Sequence, residues 1–240
     1  MSEPVGYELR GSVAVVTLDD GKANALSPAL IAALQTTLDR AEKEARALLL
    51  VGRPGRFSAG FDLSVMREGG DAVVSLVRAG AELALRLYAF PAPVVIACTG
   101  HALAMGAILL LAADARIGAK GDFKIGLNEV AIGMSLPVFG VEFARERLTR
   151  RHLDRAVTQA EIYGPKDARK AGFLDRVTDA DEVVSKAVAE AERLAALDPV
   201  AHATTKRRLR DAAIARIRAS LDGTVSPFAG RGDAGTGASA

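Results

Sequence analysis

The fold is indicated most clearly by one stretch of sequence, Val94-Val95-Ile96-Ala97-Cys98-Thr99-Gly100-His101-Ala102-Leu103-Ala104-Met105-Gly106-Ala107. Its first five residues are uniformly apolar, as in a strand that is buried on both faces. A glycine-bearing loop follows and leads to an apolar helix predicted from about Met105 to Ala113. The apolar run Ala47 to Val51 is also followed by such a loop and a predicted helix. This repetition predicts an α/β domain.

Towards the amino end, the segments Tyr7 to Arg10 and Ser12 to Leu18 are rich in strand formers and predict a hairpin. Ser27 and Pro28 supply a cap and a first helical residue. Apolar residues at helical spacing then predict a helix to about Arg46 and a second one over Asp71 to Phe90.

After about Pro137 the pattern becomes mostly helical. It predicts a helix over Asp181 to Leu197 and another that opens at Asp198-Pro199 and reaches Leu221. We therefore expect a core over residues 1–197, a carboxyl-terminal helix over 198–222 and a disordered tail over 223–240, where Gly, Ala and Ser dominate.

Composition excludes several classes of function. A formal charge of +2 on 240 residues gives no support for a nucleic-acid partner. The single cysteine, Cys98, fits a reducing compartment, and the chain shows neither a leader pattern nor an apolar stretch of membrane-spanning length. Its three histidines lack metal-ligand spacing. We expect a cytoplasmic protein without a membrane segment or metal.

Two loops can present backbone N–H groups at helix starts, where unpaired donors and the helix dipole favour negative charge. They are Phe57-Ser58-Ala59-Gly60-Phe61-Asp62-Leu63 and residues 100–107. Two such amides that converge would form an oxyanion hole suited to a thioester enolate. The alternative is that Gly60 and Gly106 only permit tight turns and close packing.

A third segment, Ile125 to Gly133, is mostly apolar and holds one carboxylate, Glu129. Apolar surroundings make an acid harder to ionise, which suits proton transfer near neutral pH. Glu129 is therefore the candidate base. The alternative is an exposed glutamate in a loop, the commoner situation for this residue type.

Together these segments resemble the enoyl-CoA hydratase/isomerase, or crotonase, superfamily over about Val5 to Leu221. The resemblance also includes Lys22-Ala23-Asn24-Ala25-Leu26. It implies a crotonase-like spiral of ββα units with a helical carboxyl-terminal trimerisation portion. It also implies an acyl-CoA substrate, with coenzyme A as part of the substrate and no separate cofactor, and a homotrimer or dimer of trimers.

Residue by residue, the resemblance assigns the oxyanion-hole amides to Phe61 and Met105 and proton transfer to Glu129. It places Lys22, Ala23 and Ala25 against the adenine end of coenzyme A. The other predicted ligand contacts are Ser58, Gly60, Asp62, Leu63 and Gly106. Asp62 is also expected to cap the following helix. His101 is interpreted as satisfied by packing or backbone contacts and is not counted as catalytic.

The sequence departs from the family pattern at Ile108. Hydratases of this family use two glutamates to hold and activate water, and Ile108 stands at the first of these positions. One glutamate suffices to move a proton from C2 to C4 of a 3-enoyl thioester, so the sequence favours double-bond isomerisation. Hydration of 2-enoyl thioesters remains an alternative, as does a non-catalytic acyl-CoA-binding or RNA-associated protein.

The predicted last helix carries a basic cluster, which comprises Lys206, Arg207, Arg208 and Arg210. Its apolar face is predicted to contain Leu209, Ile214, Ile217 and Leu221. We expect the basic cluster to be a solvated face. The alternative is contact with the phosphates of coenzyme A.

Overall fold

The computed structural model describes residues 3–222, which form two sheets and nine α-helices. In chain order the elements are β1 (Val5–Arg10), β2 (Val13–Leu18), α1 (Pro28–Glu44), β3 (Ala47–Gly52), β4 (Gly55–Ser58), α2 (Leu63–Glu68), α3 (Gly70–Ala89), β5 (Val94–Cys98), β6 (Gly100–Leu103), α4 (Met105–Ala112), β7 (Ala115–Ala119), β8 (Ile125–Gly126), a 3₁₀ helix (Val130–Ile132), α5 (Val138–Arg147), α6 (Arg150–Val157), α7 (Pro165–Ala171), β9 (Arg176–Thr178), α8 (Val183–Ala195) and α9 (Pro199–Leu221).

The order of elements repeats as strand, strand, helix, beginning with β1-β2-α1, β3-β4-α2 and β5-β6-α4. This repetition confirms the predicted α/β class with ββα units and a helical carboxyl-terminal region. The predicted hairpin is β1 paired antiparallel with β2. Ser27 caps α1 by accepting the Leu30 N–H, with Pro28 as the first helical residue.

The larger sheet has the strand order β1-β2-β3-β5-β7-β9 and is parallel from β2 onwards. The runs Ala47–Gly52 and Val94–Cys98 are buried along their whole length, as predicted for strands covered on both faces. Alternate residues of these strands point to opposite sides, so Leu49 and Val95 pack against α8, while Leu48 and Ile96 join the main core.

The smaller sheet contains β4, β6 and β8, in that order and all parallel. Strands β4 and β6 lie where the sequence predicted loops, so that part of the prediction was wrong, and β8 was not predicted. They have two to four residues each, too few to show the alternation by which a strand is recognised. Their pairing aligns Gly55 with Gly100 and Ala102 with Ile125.

Helix α4 is buried at every position from Met105 to Ala112. A helix leaves its last carbonyls unpaired, and inside a protein water cannot satisfy them. The guanidinium of Arg147 satisfies one of them by donating to the Leu111 carbonyl, and it also donates to the carbonyls of Ala113 and Asp114 just beyond the helix. Burial lowers the pKa of Arg147 to about 10, so the group remains a cation at neutral pH.

Helix α9 begins where the sequence predicted, with Asp198 accepting the Ala201 N–H as its cap. It packs against α3 and α5 of the same chain. The assignment of Leu209 to its apolar face was wrong, because that side chain is 79% exposed, whereas Ile214, Ile217 and Leu221 are buried. Leu209 lies with Arg207 and Arg208 on the exposed side of α9, between the buried positions of Lys206 and Arg210.

The predicted basic cluster divides into two parts. Arg207 and Arg208 are exposed, but Lys206 and Arg210 are buried, so a solvated face was wrong for these two. Lys206 Nζ lies 2.6 Å and an Arg210 Nη 2.7 Å from the carboxylate of Asp114. Burial opposes ionisation of Asp114, but the two cations outweigh it and hold the pKa of this carboxyl below its ordinary value. Lys206 and Arg210 therefore anchor α9 to the end of α4.

The expected tail over 223–240 lies outside the described residues. Between residues 3 and 222, no helix combines the length and the apolar character needed to cross a lipid bilayer. The trimer implied by the resemblance stays a prediction.

Replacing Asp114 with asparagine should lower the free energy of unfolding by about 3 kcal/mol or more, because two buried cations lose their counter-charge. Urea denaturation at neutral pH measures this change. The matched control is Asp211→Asn at an exposed position on α9, with an expected change within about 0.5 kcal/mol. Equal stability of the two variants would show that the Asp114 cluster does not anchor the helix.

Candidate active site

The three segments singled out in the sequence follow the carboxyl ends of three neighbouring parallel strands. β4 leads to Phe61, β6 to Met105 and β8 to Glu129. The carboxyl ends of parallel strands meet at one edge of a sheet, where ligands commonly bind in α/β proteins. A hydrogen bond of 3.0 Å from the Ala104 N–H to the Gly126 carbonyl ties the second segment to the third. The smaller sheet therefore gathers all three at one edge.

Gly60 brings the first two segments into contact. Its φ of +93° suits glycine, and a Cβ at this position would lie 2.9 Å from Ala104 Cβ and 3.3 Å from the backbone nitrogen of Met105. Phe61 follows Gly60 directly, so its amide belongs to the same close contact with the Ala104–Met105 segment. Within residues 3–222 the Phe61 N–H has no acceptor. The bridge between Phe61 and Leu26 is made by the Gly60 carbonyl and the Asp62 N–H, which lie on either side of it in the chain.

Helix α4 begins without a side-chain cap. Ala104 precedes it with a φ of +50°, a strained conformation for a residue other than glycine. The Ala104 carbonyl accepts the N–H groups of Ala107 and Ile108, and no acceptor within the described chain serves those of Met105 and Gly106. Met105 is fully buried, and a buried donor without a partner is rare in native structures. Such donors at a helix start favour an oxyanion.

Glu129 is 6% exposed, so the alternative of a solvent-facing glutamate was wrong. Its Oε2 is buried and has no hydrogen-bond partner. Burial raises the pKa of this carboxyl to about 7, which suits a group that accepts and returns a proton near neutrality. The neighbouring Asn128 also has a buried side-chain oxygen without a partner.

A family model described as enoyl-CoA hydratase/isomerase matches residues 8–228. The chain belongs to the enoyl-CoA hydratase/isomerase family. The solved structure of an enoyl-CoA isomerase from Mycobacterium tuberculosis is 43% identical, with a TM-score of 0.89 and coverage of 93% of this chain and 98% of that one.

Two curated relatives carry names for different reactions. Human mitochondrial enoyl-CoA delta isomerase 1 is 31% identical over 221 residues, which are 90% of this chain and 73% of the relative. The 2,3-dehydroadipyl-CoA hydratase of Escherichia coli is 27% identical over 212 residues, which are 87% and 82% of the two chains. Family membership therefore establishes an enzyme of the hydratase/isomerase type and leaves the choice of reaction open.

The loop that the family resemblance places against adenine is held by two polar residues to which the sequence had assigned no role. The Asp20 carboxylate accepts the N–H groups of Lys22, Asn24 and Ala25. Asn24 is fully buried, and its amide donates to the carbonyls of Leu18 and Phe57. Asn24 has a φ of +50°, which Asn tolerates better than most residues, and this preference was the available signal.

The predicted contacts Lys22, Ala23 and Ala25 lie on this loop. The N–H groups of Lys22 and Ala25 are occupied by Asp20, and the Lys22 carbonyl accepts from Arg53. The Ala23 carbonyl accepts the Ala59 N–H. Among the three amides, only that of Ala23 lacks an acceptor within the described residues. Lys22 nevertheless lies close enough to Asp62 for its positive charge to help lower the pKa of that carboxyl.

Three other residues predicted to contact the ligand hold the loops and helices around the site in place. Ser58 is buried, and its hydroxyl donates to the Asn24 carbonyl and accepts the Gly60 N–H. A Cβ on Gly106 would lie 2.5 Å from the Ser58 carbonyl oxygen, so Gly106 permits close packing of α4 on β4. Asp62 caps α2 as predicted, and its hydrogen bonds with Ser64 hold its pKa below the ordinary value. Leu63 is 60% exposed.

His101 and Ile108 also lie as the sequence indicated. His101 Nδ1 accepts the Lys124 N–H, and its ring lies edge-on to Phe123, so the histidine is satisfied by its neighbours. Ile108 is buried on α4 and contributes no carboxylate. Among residues 3–222, no group of three or more His, Cys, Asp and Glu side chains is arranged to hold a metal ion.

Glu129→Gln should stabilise the protein at alkaline pH. The pKa of this acid is raised on folding from 4.5 to about 7, so folding is disfavoured progressively between these values as pH rises. Each pKa unit corresponds to about 1.4 kcal/mol, which gives a gain of roughly 3 kcal/mol at pH 8 and little at pH 4.5.

Thermal or urea unfolding at several pH values measures this difference. Glu192→Gln, at an exposed position of α8, serves as the control and should show no such pH-dependent gain. A gain for Glu129→Gln that is the same at both ends of the pH range would mean that burial does not raise this pKa.

Proposed function

We propose that this enzyme isomerises the double bond of 3-enoyl-CoA thioesters to the 2-position. The observation that supports this most is the single buried carboxylate of Glu129 at the sheet edge that also presents the Phe61 and Met105 amides. A reaction that moves one proton between two carbons of the same substrate needs one base and a place for negative charge. It needs neither water nor a second acid.

In the proposed reaction, the ionised Glu129 removes a proton from C2, and the electrons of the broken C–H bond move into a dienolate. The negative charge collects on the thioester oxygen, which accepts hydrogen bonds from the Phe61 and Met105 N–H groups. Glu129 then returns the proton to C4, and the double bond is left between C2 and C3. No atom enters or leaves, and no oxidant is involved.

Ile108 favours isomerisation over hydration. Its side chain is buried, and its Cδ1 lies 3.2 Å from where a Cβ on Gly140 of α5 would stand. An aliphatic group there can neither orient water nor exchange a proton. The isomerase name of the human relative agrees with this proposal, whereas the mycobacterial protein has an isomerase name in one solved structure and a probable hydratase name in another.

Hydration of 2-enoyl thioesters is the second candidate, because the relative from Escherichia coli carries a hydratase name. In that case Glu129 would act alone on a water held by backbone groups. A protein that binds acyl-CoA without converting it is the non-enzymatic alternative. Product analysis separates the three.

Purified protein supplied with 3-hexenoyl-CoA should form 2-hexenoyl-CoA of unchanged mass, followed by absorbance of the conjugated thioester and by mass spectrometry. Glu129→Gln should lower kcat by about 10²- to 10⁴-fold, the usual contribution of a general base, while acyl-CoA binding persists. Glu192→Gln provides the control. Water addition without a positional shift would support the hydratase, and binding without conversion would support the non-enzymatic alternative.

The pH profile of kcat/KM should rise with pH and level off above a midpoint near pH 7. Glu129 must be ionised to accept the C2 proton, and its pKa is raised by burial to about 7. Below the midpoint, the rate constant should fall about tenfold per pH unit. A midpoint between pH 4 and pH 5 would indicate a solvated carboxylate as the base.

A further inference from the structure

The two proposed oxyanion-hole residues both rest their side chains on Gly80 of α3. A Cβ on Gly80 would lie 2.5 Å from Phe61 Cζ, closer still to Phe61 Cε1, and 3.6 Å from the terminal methyl of Met105. Real Cβ atoms essentially never approach another heavy atom within 3.0 Å. The absence of a side chain at Gly80 therefore makes the space that the Phe61 ring occupies.

Glycine is otherwise unfavourable at this position. Gly80 lies in the interior of a 20-residue helix, where glycine is less favourable than alanine because it loses more backbone freedom on folding. It is buried, and its conformation is helical, so no unusual backbone angle requires it. Close approach of the Phe61 ring is the physical reason for a glycine here.

An apolar cleft is formed by α1, α2 and α3, and one of its lining residues is Ala79, which precedes Gly80 directly in α3. This cleft has a volume of about 530 Å³, within the range of small-molecule sites. Val65, four residues after Phe61, lines the cleft. Leu76 also lines it, and because Leu76 is four residues before Gly80 in α3, the two are neighbours on the surface of that helix. The remaining apolar lining comes from Pro28, Ile31, Ala32 and Ala72.

The chemistry of the cleft suits a neutral aliphatic chain. Its only charged lining residues are Glu68 and Glu82, so an anionic group is not favoured there. An acyl chain starts at the thioester carbonyl, which the proposed function places at the Phe61 N–H. The ring of the same residue therefore stands beside the first carbons of the chain.

We infer that the Phe61 ring, seated against Gly80, closes the oxyanion-hole region off from the cleft between α1, α2 and α3 and restricts the enzyme to short acyl chains. This inference rests on the proposed binding of an acyl-CoA thioester. Phe61 thus has two tasks, a backbone donor for the oxygen and a side chain that limits chain length. Gly80 is a positioning residue that acts through Phe61.

The first test compares 3-hexenoyl-CoA with 3-dodecenoyl-CoA. The wild-type enzyme should prefer the shorter substrate, and Phe61→Ala should raise the ratio of kcat/KM for the longer to the shorter chain by about tenfold or more, the range typical of adding or removing apolar pocket contacts. The ratio is the readout because any general loss of activity affects both substrates. An unchanged ratio would overturn the inference.

The second test is a double-mutant cycle. Gly80→Ala adds a methyl group that must displace the Phe61 ring, so it should change the chain-length ratio and lower kcat in the wild-type background. In the Phe61→Ala background the same substitution should have little effect, because the obstructed ring is absent. Equal effects in both backgrounds would mean that Gly80 does not act through Phe61.

Binding separates failure of this inference from failure of the proposed function. Titration calorimetry with saturated hexanoyl-CoA and dodecanoyl-CoA requires no turnover, and Phe61→Ala should shift affinity towards the longer ligand. If the wild type converts neither enoyl substrate but Phe61→Ala shifts affinity towards the longer ligand, the proposed reaction fails and the chain-length role stands. If turnover occurs and neither ratio responds to Phe61→Ala, the reaction stands and the chain-length role fails.

Discussion

The complete burial of α4 is the constraint on which the site depends. A buried helix cannot leave its terminal N–H and carbonyl groups to water, so each end needs partners supplied by the protein or by a ligand. At the carboxyl end, Arg147 donates to the Leu111 carbonyl of the helix and to the Ala113 and Asp114 carbonyls that follow it. The side chain of Asp114 in turn pairs with Lys206 and Arg210. At the amino end, no described residue serves the Met105 N–H. The helix thus has protein partners near its carboxyl end, whereas the Met105 N–H at its amino end has no acceptor among the described residues, as the proposed oxyanion hole requires.

The smaller sheet brings the unpaired Met105 N–H at the start of α4 together with the other candidate site residues. Three short parallel strands bring the segments around Phe61, Met105 and Glu129 to one edge although they are far apart in sequence. Close packing at Gly60 and Gly106 then fixes how the segments meet, since a Cβ would lie 2.9 Å from Ala104 Cβ at the first position and 2.5 Å from the Ser58 carbonyl oxygen at the second. The packing interpretation of these glycines and the proposed oxyanion hole are therefore compatible, since the same close approach would bring the two proposed donors together.

The sequence predicted the long elements well because their patterns extend over many residues. The apolar runs of β3 and β5 and the helical spacing of α1, α3 and α9 identified the core. The short strands could not be found, since β8 has only two residues and its identity depends on its partner. Lys206 and Arg210 were misplaced because charged side chains are usually exposed and their counter-ion lies 92 and 96 residues away. The site residues came mostly from the family resemblance.

Gly80 shows a different limit of sequence reasoning. A glycine within an apolar helix reads as a weak point, and its partner Phe61 is 19 positions earlier in another element. Only coordinates show that the ring fills the space left by the missing side chain. A glycine whose role is to leave room for a neighbouring side chain cannot be recognised from the sequence by its own chemistry.

The buried carboxylate and the unpaired amides have complementary energetic roles. A glutamate in water would be a weak base, whereas the apolar surroundings of Glu129 raise its pKa to about 7 and strengthen it. The same burial disfavours folding when the group ionises, so basicity is obtained at a cost in stability. On the substrate side, hydrogen bonds to the thioester oxygen lower the energy of the enolate and make the C2 proton easier to remove. In the proposed reaction, both changes bring the pKa of the C2 proton and the pKa of the Glu129 carboxyl closer together. The difference between these two pKa values is what proton transfer must overcome.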